Sequence, residues 1–186
     1  MCGRYFFSEN IDLTPYLRIL NRKYDQLTLD LLCRGEVRPG QIALTADAND
    51  LYLMRWGYQA NGRRLINSRF ESLTTNPAYR CDYQQNRCVI LASGFYEWRD
   101  EERYYLHTDE PLIYLAALYQ KQSDFPGFSI ITRSATSTRD LHPRIPLVLN
   151  RDQAYGYLRH ELDQEALLAI QPDFRIINQS GNLKLF

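Results

Sequence analysis

The pattern of apolar and polar positions changes character near Ile42. Before it, Gly3 to Phe7 reads as a short strand. Thr14-Pro15 reads as a helix cap followed by proline at the first helical position, with Tyr16, Leu17 and Leu20 as the buried face. From Ile42 onward, short apolar runs bounded by turn residues take over: Ile42 to Thr45, Leu51 to Trp56, Cys88 to Ala92, Tyr104 to His107, Leu112 to Tyr119, Phe128 to Thr132 and Leu147 to Leu149. Each predicts a strand. No long helical pattern alternates with them, so the expected fold is α+β, with a mainly antiparallel, barrel-like or sandwich β core and a few helices packed outside. Arg151 to His160 and Asp163 to Ile170 predict two of those helices. No repeat, low-complexity tract or linker interrupts the pattern, so residues 1–186 are expected to form one domain.

Composition narrows the class. No apolar run reaches the ~18 residues of a membrane-spanning helix, and Met1-Cys2-Gly3-Arg4-Tyr5 lacks the apolar stretch of a secretory signal. A soluble cytoplasmic protein is expected, nucleoid-associated if the source is bacterial, without a membrane partner. The four cysteines, Cys2, Cys33, Cys81 and Cys88, form no CxxC pair and have no histidine at ligand spacing. Neither a zinc site nor a disulfide framework is expected, and no metal or other cofactor. The formal net charge is zero, which argues against coating nucleic acid by bulk electrostatics. Its distribution says more: lysine occurs only at positions 23, 121 and 184, so the positive charge is nearly all arginine, whose flat fork suits phosphate. The 14 tyrosines can serve a core or stack on single-stranded bases.

Position 2 carries the most distinctive chemistry. Initiator methionine is commonly removed before a small residue, and the chain would then start at Cys2 with two nucleophiles on one residue. The α-amine titrates near about 8 and the thiol near about 8.5. An aldehyde would condense with the amine, and the thiol two carbons away would close a five-membered thiazolidine ring. Three further positions are candidates to assist. The Asn67 amide, in Leu65-Ile66-Asn67-Ser68-Arg69, would hydrogen-bond the Cys2 amine and hold it in place. Glu97, in Ser93-Gly94-Phe95-Tyr96-Glu97-Trp98, is flanked by aromatics that would desolvate it and raise its pKa into the range of a general acid/base. His142 lies in a proline-pinned loop, Asp140-Leu141-His142-Pro143-Arg144-Ile145-Pro146, where a neutral imidazole would act as base. Taken singly, each has a structural reading: a small second residue, a turn asparagine, a strand-edge glutamate paired with arginine, a structural histidine.

Together, Met1-Cys2-Gly3-Arg4-Tyr5, Arg38-Pro39-Gly40, Trp56-Gly57-Tyr58, Ile66-Asn67-Ser68-Arg69, Ser93-Gly94-Phe95-Tyr96-Glu97-Trp98 and His142-Pro143-Arg144-Ile145-Pro146 closely resemble the SRAP (SOS response-associated peptidase) family. The matches come in the family's order from the first residue to about Leu149. The resemblance implies a sensor and shield of abasic sites in single-stranded DNA, acting through a thiazolidine link to Cys2 after autoproteolytic removal of Met1. By motif position, Cys2 is the nucleophile, Asn67 orients it, Glu97 helps open the deoxyribose to its aldehyde, and His142 assists proton transfer. Arg4, Arg69 and Arg144 fall where the family contacts phosphates, and Arg38 and Trp56 are further DNA-contact candidates. The expected core is SRAP-like, and a monomer is expected.

Two departures stand out. The family's asparagine-valine-alanine-proline motif is here Glu36-Val37-Arg38-Pro39, and its tryptophan-bearing loop is replaced by Gln59-Ala60-Asn61-Gly62-Arg63-Arg64, where Arg63 and Arg64 offer phosphate contacts instead of a stacking surface. The late motifs do not map onto Phe174 to Asn182. Two rival readings stay open. A glutamine amidotransferase-like N-terminal-nucleophile amidohydrolase also matures to Cys-Gly, with Asn61-Gly62 as candidate oxyanion donor, although Arg4 replaces the small apolar residue expected there. A non-catalytic single-stranded DNA-binding module would make Cys2 incidental.

Overall fold

The computed structural model describes residues 2–60, 62–122 and 124–179. In chain order the elements are β1 (Arg4–Phe7), α1 (Thr14–Leu20), α2 (Gln26–Leu29), β2 (Gly35–Val37), β3 (Ile42–Ala46), β4 (Leu51–Trp56), β5 (Tyr58–Ala60), β6 (Arg63–Leu65) and β7 (Asn67–Arg69). There follow α3 (Arg80–Gln85), β8 (Arg87–Ala92), β9 (Gly94–Arg99), β10 (Glu102–His107), β11 (Ile113–Gln120), β12 (Gly127–Ser134), β13 (Arg144–Pro146) and β14 (Val148–Leu149). The last elements are α4 (Arg151–Leu158), α5 (Gln164–Ala169) and β15 (Arg175–Asn178). No helix among the described residues is long and apolar enough to cross a membrane.

The α+β, barrel-like expectation holds. Strands β12, β4, β3, β8 and β11 pair in that order, and β11 pairs back onto β12, closing a ring. Closure leaves no raw edges within the ring. All its pairings are antiparallel except β12 with β4, which is parallel and brief. Side chains alternate across these strands, as a pleated ladder requires. Ile90, Ala117 and Ile130 enter one buried cluster with Tyr5, Trp56 and Phe95, while their neighbours Val89, Ala116 and Ile131 join a second with Tyr83, Tyr157 and Leu167 from α3, α4 and α5.

A second sheet, β15-β10-β9-β1-β2, is antiparallel throughout. Its β9–β10 turn has positive φ at both central residues, Asp100 (51°) and Glu101 (67°), the backbone of a type I′ hairpin achieved without glycine. That turn fixes Tyr104 opposite Glu97. On the barrel, β4 leaves β12 after Trp56, and β7 takes over the same edge in parallel, with Asn67 opposite Ile130. Gly57 makes the departure possible: its φ is +103°, and a Cβ there would lie 2.6 Å from Cγ of Arg64.

The eight expected strands and both C-terminal helices form, with ends shifted by at most two residues. The α1 cap is a correction. Thr14 is inside the helix and makes no capping bond; the Thr14 N–H is instead accepted by Asp12, and only Leu20 of the expected face is fully buried. Strands β2, β5, β6, β7, β13 and β15, three or four residues long, were not anticipated, nor was the six-residue β9, which follows β8 after Ser93 alone.

Candidate functional site

The register of β1 against β9, with Arg4 opposite Tyr96 and Tyr5 opposite Phe95, carries Cys2 to the end of the ladder where Glu97 lies. Cys2 is fully buried, its thiol 3.7 Å from the Arg4 carbonyl. Asn67, the first residue of β7, donates from Nδ2 to the Cys2 carbonyl at 2.9 Å. The partner is thus the carbonyl of Cys2, where the sequence had suggested its amine. Asn67 is held from behind: the Ile66 carbonyl accepts from Trp56 Nε1 at 2.9 Å and from the Ile130 amide at 3.0 Å.

His142 arrives from the opposite side, immediately before β13. A tight turn returns the amides of Leu141 and His142 to the Thr138 carbonyl, at 3.0 and 3.1 Å. Its Nδ1 lies 2.6 Å from the Arg144 carbonyl, 3.1 Å from the Arg144 amide and 3.8 Å from Glu97 Oε2. The structure therefore brings Cys2 to Asn67 and Glu97 to His142, and the field of Glu97 reaches the Cys2 thiol.

Burial sets the protonation states. Glu97 is only 3% exposed, and desolvation lifts its carboxyl from 4.5 to about 7. Burial first, and the neighbouring Glu97 second, push the Cys2 thiol far above its ordinary value. A standing thiolate is disfavoured; the sulfur attacks only if its proton is taken as it moves. Two acceptors, Glu97 Oε1 and Asn67 Oδ1, are buried without a partner among the described residues. Such orphan acceptors mark a place built for a donor. No group of three His, Cys, Asp or Glu suited to a metal occurs among the described residues.

The arginines divide into two sets. Arg4 and Arg38 pair with Glu36, and so does Arg103, which the sequence reading missed. Arg144 makes a two-pronged pair with Glu71 at 3.1 and 2.9 Å and also donates to the Thr132 carbonyl. By contrast Arg63, Arg64 and Arg69 are exposed. Trp56 corrects an expectation: it is completely buried, stacked on Phe128 at 6.1 Å and tilted against Tyr5, so it has no face to offer a base. Its role is to hold the strand that presents Asn67. Arg103 was detectable only through strand register, because it reaches Glu36 from across β9 and β1. Met1, Asn61 and residues 180–182, which bear on maturation, the oxyanion donor and the late motifs, lie outside the described residues.

A closed β ring flanked by a second sheet, with the cysteine at position 2 held by the Asn67 amide and within the field of the raised Glu97 carboxyl, defines an α+β class of protein built around that cysteine. Within that class, the chain belongs to the family described as SOS response associated peptidase (SRAP), whose model matches residues 1–177. It is 28% identical to the abasic site processing protein YedK of Escherichia coli (strain K12), over 87% of this chain and 81% of that one. It is also 28% identical to YoaM and 30% identical to YoqW of Bacillus subtilis (strain 168), both named abasic site processing proteins, in each case over 85% of this chain and 79% and 80% of theirs. Two solved structures share the fold. One is a protein from Bacteroides thetaiotaomicron (TM-score 0.75, 19% identity, 96% of this chain and 93% of that). The other is a phage-related protein from Bordetella bronchiseptica (TM-score 0.72, 24% identity, 95% and 93%).

Proposed function

We propose that this protein processes abasic sites in single-stranded DNA by covalent capture at Cys2, after autoproteolytic removal of Met1. The observation that carries the reading is the packing of Cys2 against Asn67, with the raised carboxyl of Glu97 and His142 beside it. The names of the related proteins supply the substrate class, and the side chains supply a chemistry that fits it.

An abasic deoxyribose exists mainly as a closed hemiacetal. Glu97, holding a proton near neutral pH, donates it to the ring oxygen and takes the proton of the anomeric hydroxyl in exchange, and the aldehyde opens. The neutral α-amine of Cys2 attacks the aldehyde carbon. A C–N bond forms, Glu97 protonates the departing hydroxyl so that one water leaves, and a proton from the nitrogen returns to Glu97, giving the imine. The Cys2 sulfur then adds to the imine carbon, forming the C–S bond, and the thiol proton passes by way of Glu97 or His142 to the nitrogen. Aldehyde and aminothiol give thiazolidine and one water, with no redox step. A free amine at Cys2 also provides N–H donors for the orphan acceptors on Asn67 and Glu97. Amine, thiol and proton carrier are held together before the sugar arrives, so little ordering entropy remains to be lost at the reactive step.

The test is a denaturing gel of the mature protein, its start at Cys2 verified by intact mass, mixed with a single-stranded oligonucleotide containing one abasic site. A shifted band that disappears in Cys2→Ala is expected. Verified mature protein that leaves the oligonucleotide unshifted overturns the reading.

A further inference from the structure

Three arginines converge on one carboxylate of the second sheet, Arg4 among them. Arg4 Nε of β1 lies 3.1 Å from Glu36 Oε1, and Arg38 Nη2, just past β2, lies 3.0 Å from the same oxygen. Arg103 Nη2 of β10 lies 2.8 Å from Oε2 and rests its guanidinium 3.9 Å from the centre of the Tyr96 ring. Strand pairing makes the meeting unavoidable. Phe6 opposite Glu36, Arg4 opposite Tyr96 and Trp98 opposite Arg103 place these groups on one face of the second sheet.

Three guanidinium groups against one carboxylate leave a surplus of two positive charges within this cluster (3 − 1 = 2). The carboxylate offers only two oxygens to three guanidinium groups, and Arg38 alone engages one of them through both Nε and Nη2, at 3.1 and 3.0 Å. A phosphate group, with more acceptor oxygens, matches them better. The seat is open to solvent, the side chains of Glu36 and Arg38 being 22% and 60% exposed, and Arg4 is two residues from Cys2. Partial desolvation works to raise the Glu36 pKa. The charge of Arg103 and the hydrogen bonds from Arg38 and Arg4 more than reverse this, so it stays below the ordinary carboxylate value and ionised at neutral pH.

We infer that Glu36 is an internal stand-in for a DNA phosphate: in the free protein its carboxylate fills the seat formed by Arg4, Arg38 and Arg103, and a backbone phosphate of the bound strand displaces it. The inference rests on the DNA reading above and adds to it a control on affinity. Exchanging one anion for another gains less than filling an empty cationic seat. Undamaged strands are therefore held weakly and released, and retention falls to the covalent bond, which only an aldehyde can form.

Glu36→Gln, which keeps the shape and removes the charge, tests this with a short oligothymidine lacking abasic sites, so that no crosslink intervenes. Binding followed by fluorescence anisotropy is expected to tighten roughly 10-fold at about 0.1 M salt, and the slope of log affinity against log salt to steepen by about 0.7, the value for one more phosphate on a single strand. Equal or weaker binding by a variant that melts like the parent overturns the inference. Arg103→Gln is expected to weaken binding and flatten the slope by a similar amount, and unchanged binding in that variant also counts against it. Should Glu36→Gln fail to fold, the parent carries the test, since the Glu36 carboxyl 13C resonance must move on saturation with oligothymidine. Crosslinking of the parent to abasic DNA is assayed in parallel. A parent that crosslinks while Glu36→Gln binds no better sinks this inference alone, whereas a parent that never crosslinks sinks the function proposed above.

Discussion

The burial of Glu97 ties the stability of the protein to pH. In the unfolded chain its carboxyl is ionised above roughly pH 4.3; in the folded protein burial keeps it protonated until about 7. Between those values the folded state binds more protons, so stability falls as pH rises, and the whole penalty is present above pH 7. At about 1.4 kcal/mol for each tenfold change in proton affinity, the penalty is on the order of 3 kcal/mol. Glu97→Gln is therefore expected to raise the melting temperature relative to the parent at pH 8 and to do so much less at pH 5; the same change at both would mean that Glu97 titrates normally. The crosslinking rate of the parent should be bell-shaped. It climbs as the Cys2 amine loses its proton near about pH 8 and declines as Glu97 loses its own, giving an optimum between them. In Glu97→Gln the alkaline limb should vanish and the maximum drop by on the order of 100-fold, measured by single-turnover crosslinking. An alkaline limb that survives the substitution belongs to another group.

At the scale of elements, the site depends on how β4 hands its edge of β12 to β7. Trp56 ends β4, fills the space beneath Tyr5 and Phe128, and sends its indole N–H to the Ile66 carbonyl, one residue before Asn67. Trp56→Phe leaves that carbonyl satisfied by the Ile130 amide but opens a gap, so a loss of about 2 kcal/mol is expected in denaturant unfolding. Because Asn67 would be less firmly placed, crosslinking should slow by roughly 10-fold with affinity for intact DNA unchanged. A drop in affinity for intact DNA would instead restore Trp56 to the surface role expected from the sequence. What could be read ahead of the structure follows the same division. Runs such as Leu51–Trp56 and Phe128–Thr132 announce themselves by length and β-branched or aromatic content, and the motif around Glu97 announces a buried carboxyl through its aromatic flanks. The three residues of β7 or β13 carry no periodicity of their own; they are strands because β12 offers them an edge. The pairing of Glu36 with Arg4 and Arg103, and the burial of Trp56, depend on cross-strand register, which no single segment contains.

For the whole molecule, 22 acidic and 22 basic side chains cancel, so no long-range field gathers DNA, and attraction must come from local surpluses. At about 0.1 M salt such surpluses act over only ~10 Å. Three arginines named as DNA contacts, Arg4, Arg38 and Arg144, are already engaged by Glu36 and Glu71, whereas Arg63 and Arg64 stand exposed on β6, in the hairpin that follows β4. Arg64 lies with Cγ over Gly57, so its stem is fixed by packing. Substitution by glutamine keeps the packed carbons and removes only the charge. Arg63→Gln with Arg64→Gln should therefore leave the melting temperature close to that of the parent. The slope of log affinity against log salt for single-stranded DNA should flatten by about 1.4, or about 0.7 for each phosphate no longer neutralised. The crosslinking rate at saturating abasic DNA should not change, because neither side chain reaches Cys2 or Glu97. A slope equal to the parent's would mean that the strand bypasses this hairpin and is held at the Glu36 cluster instead.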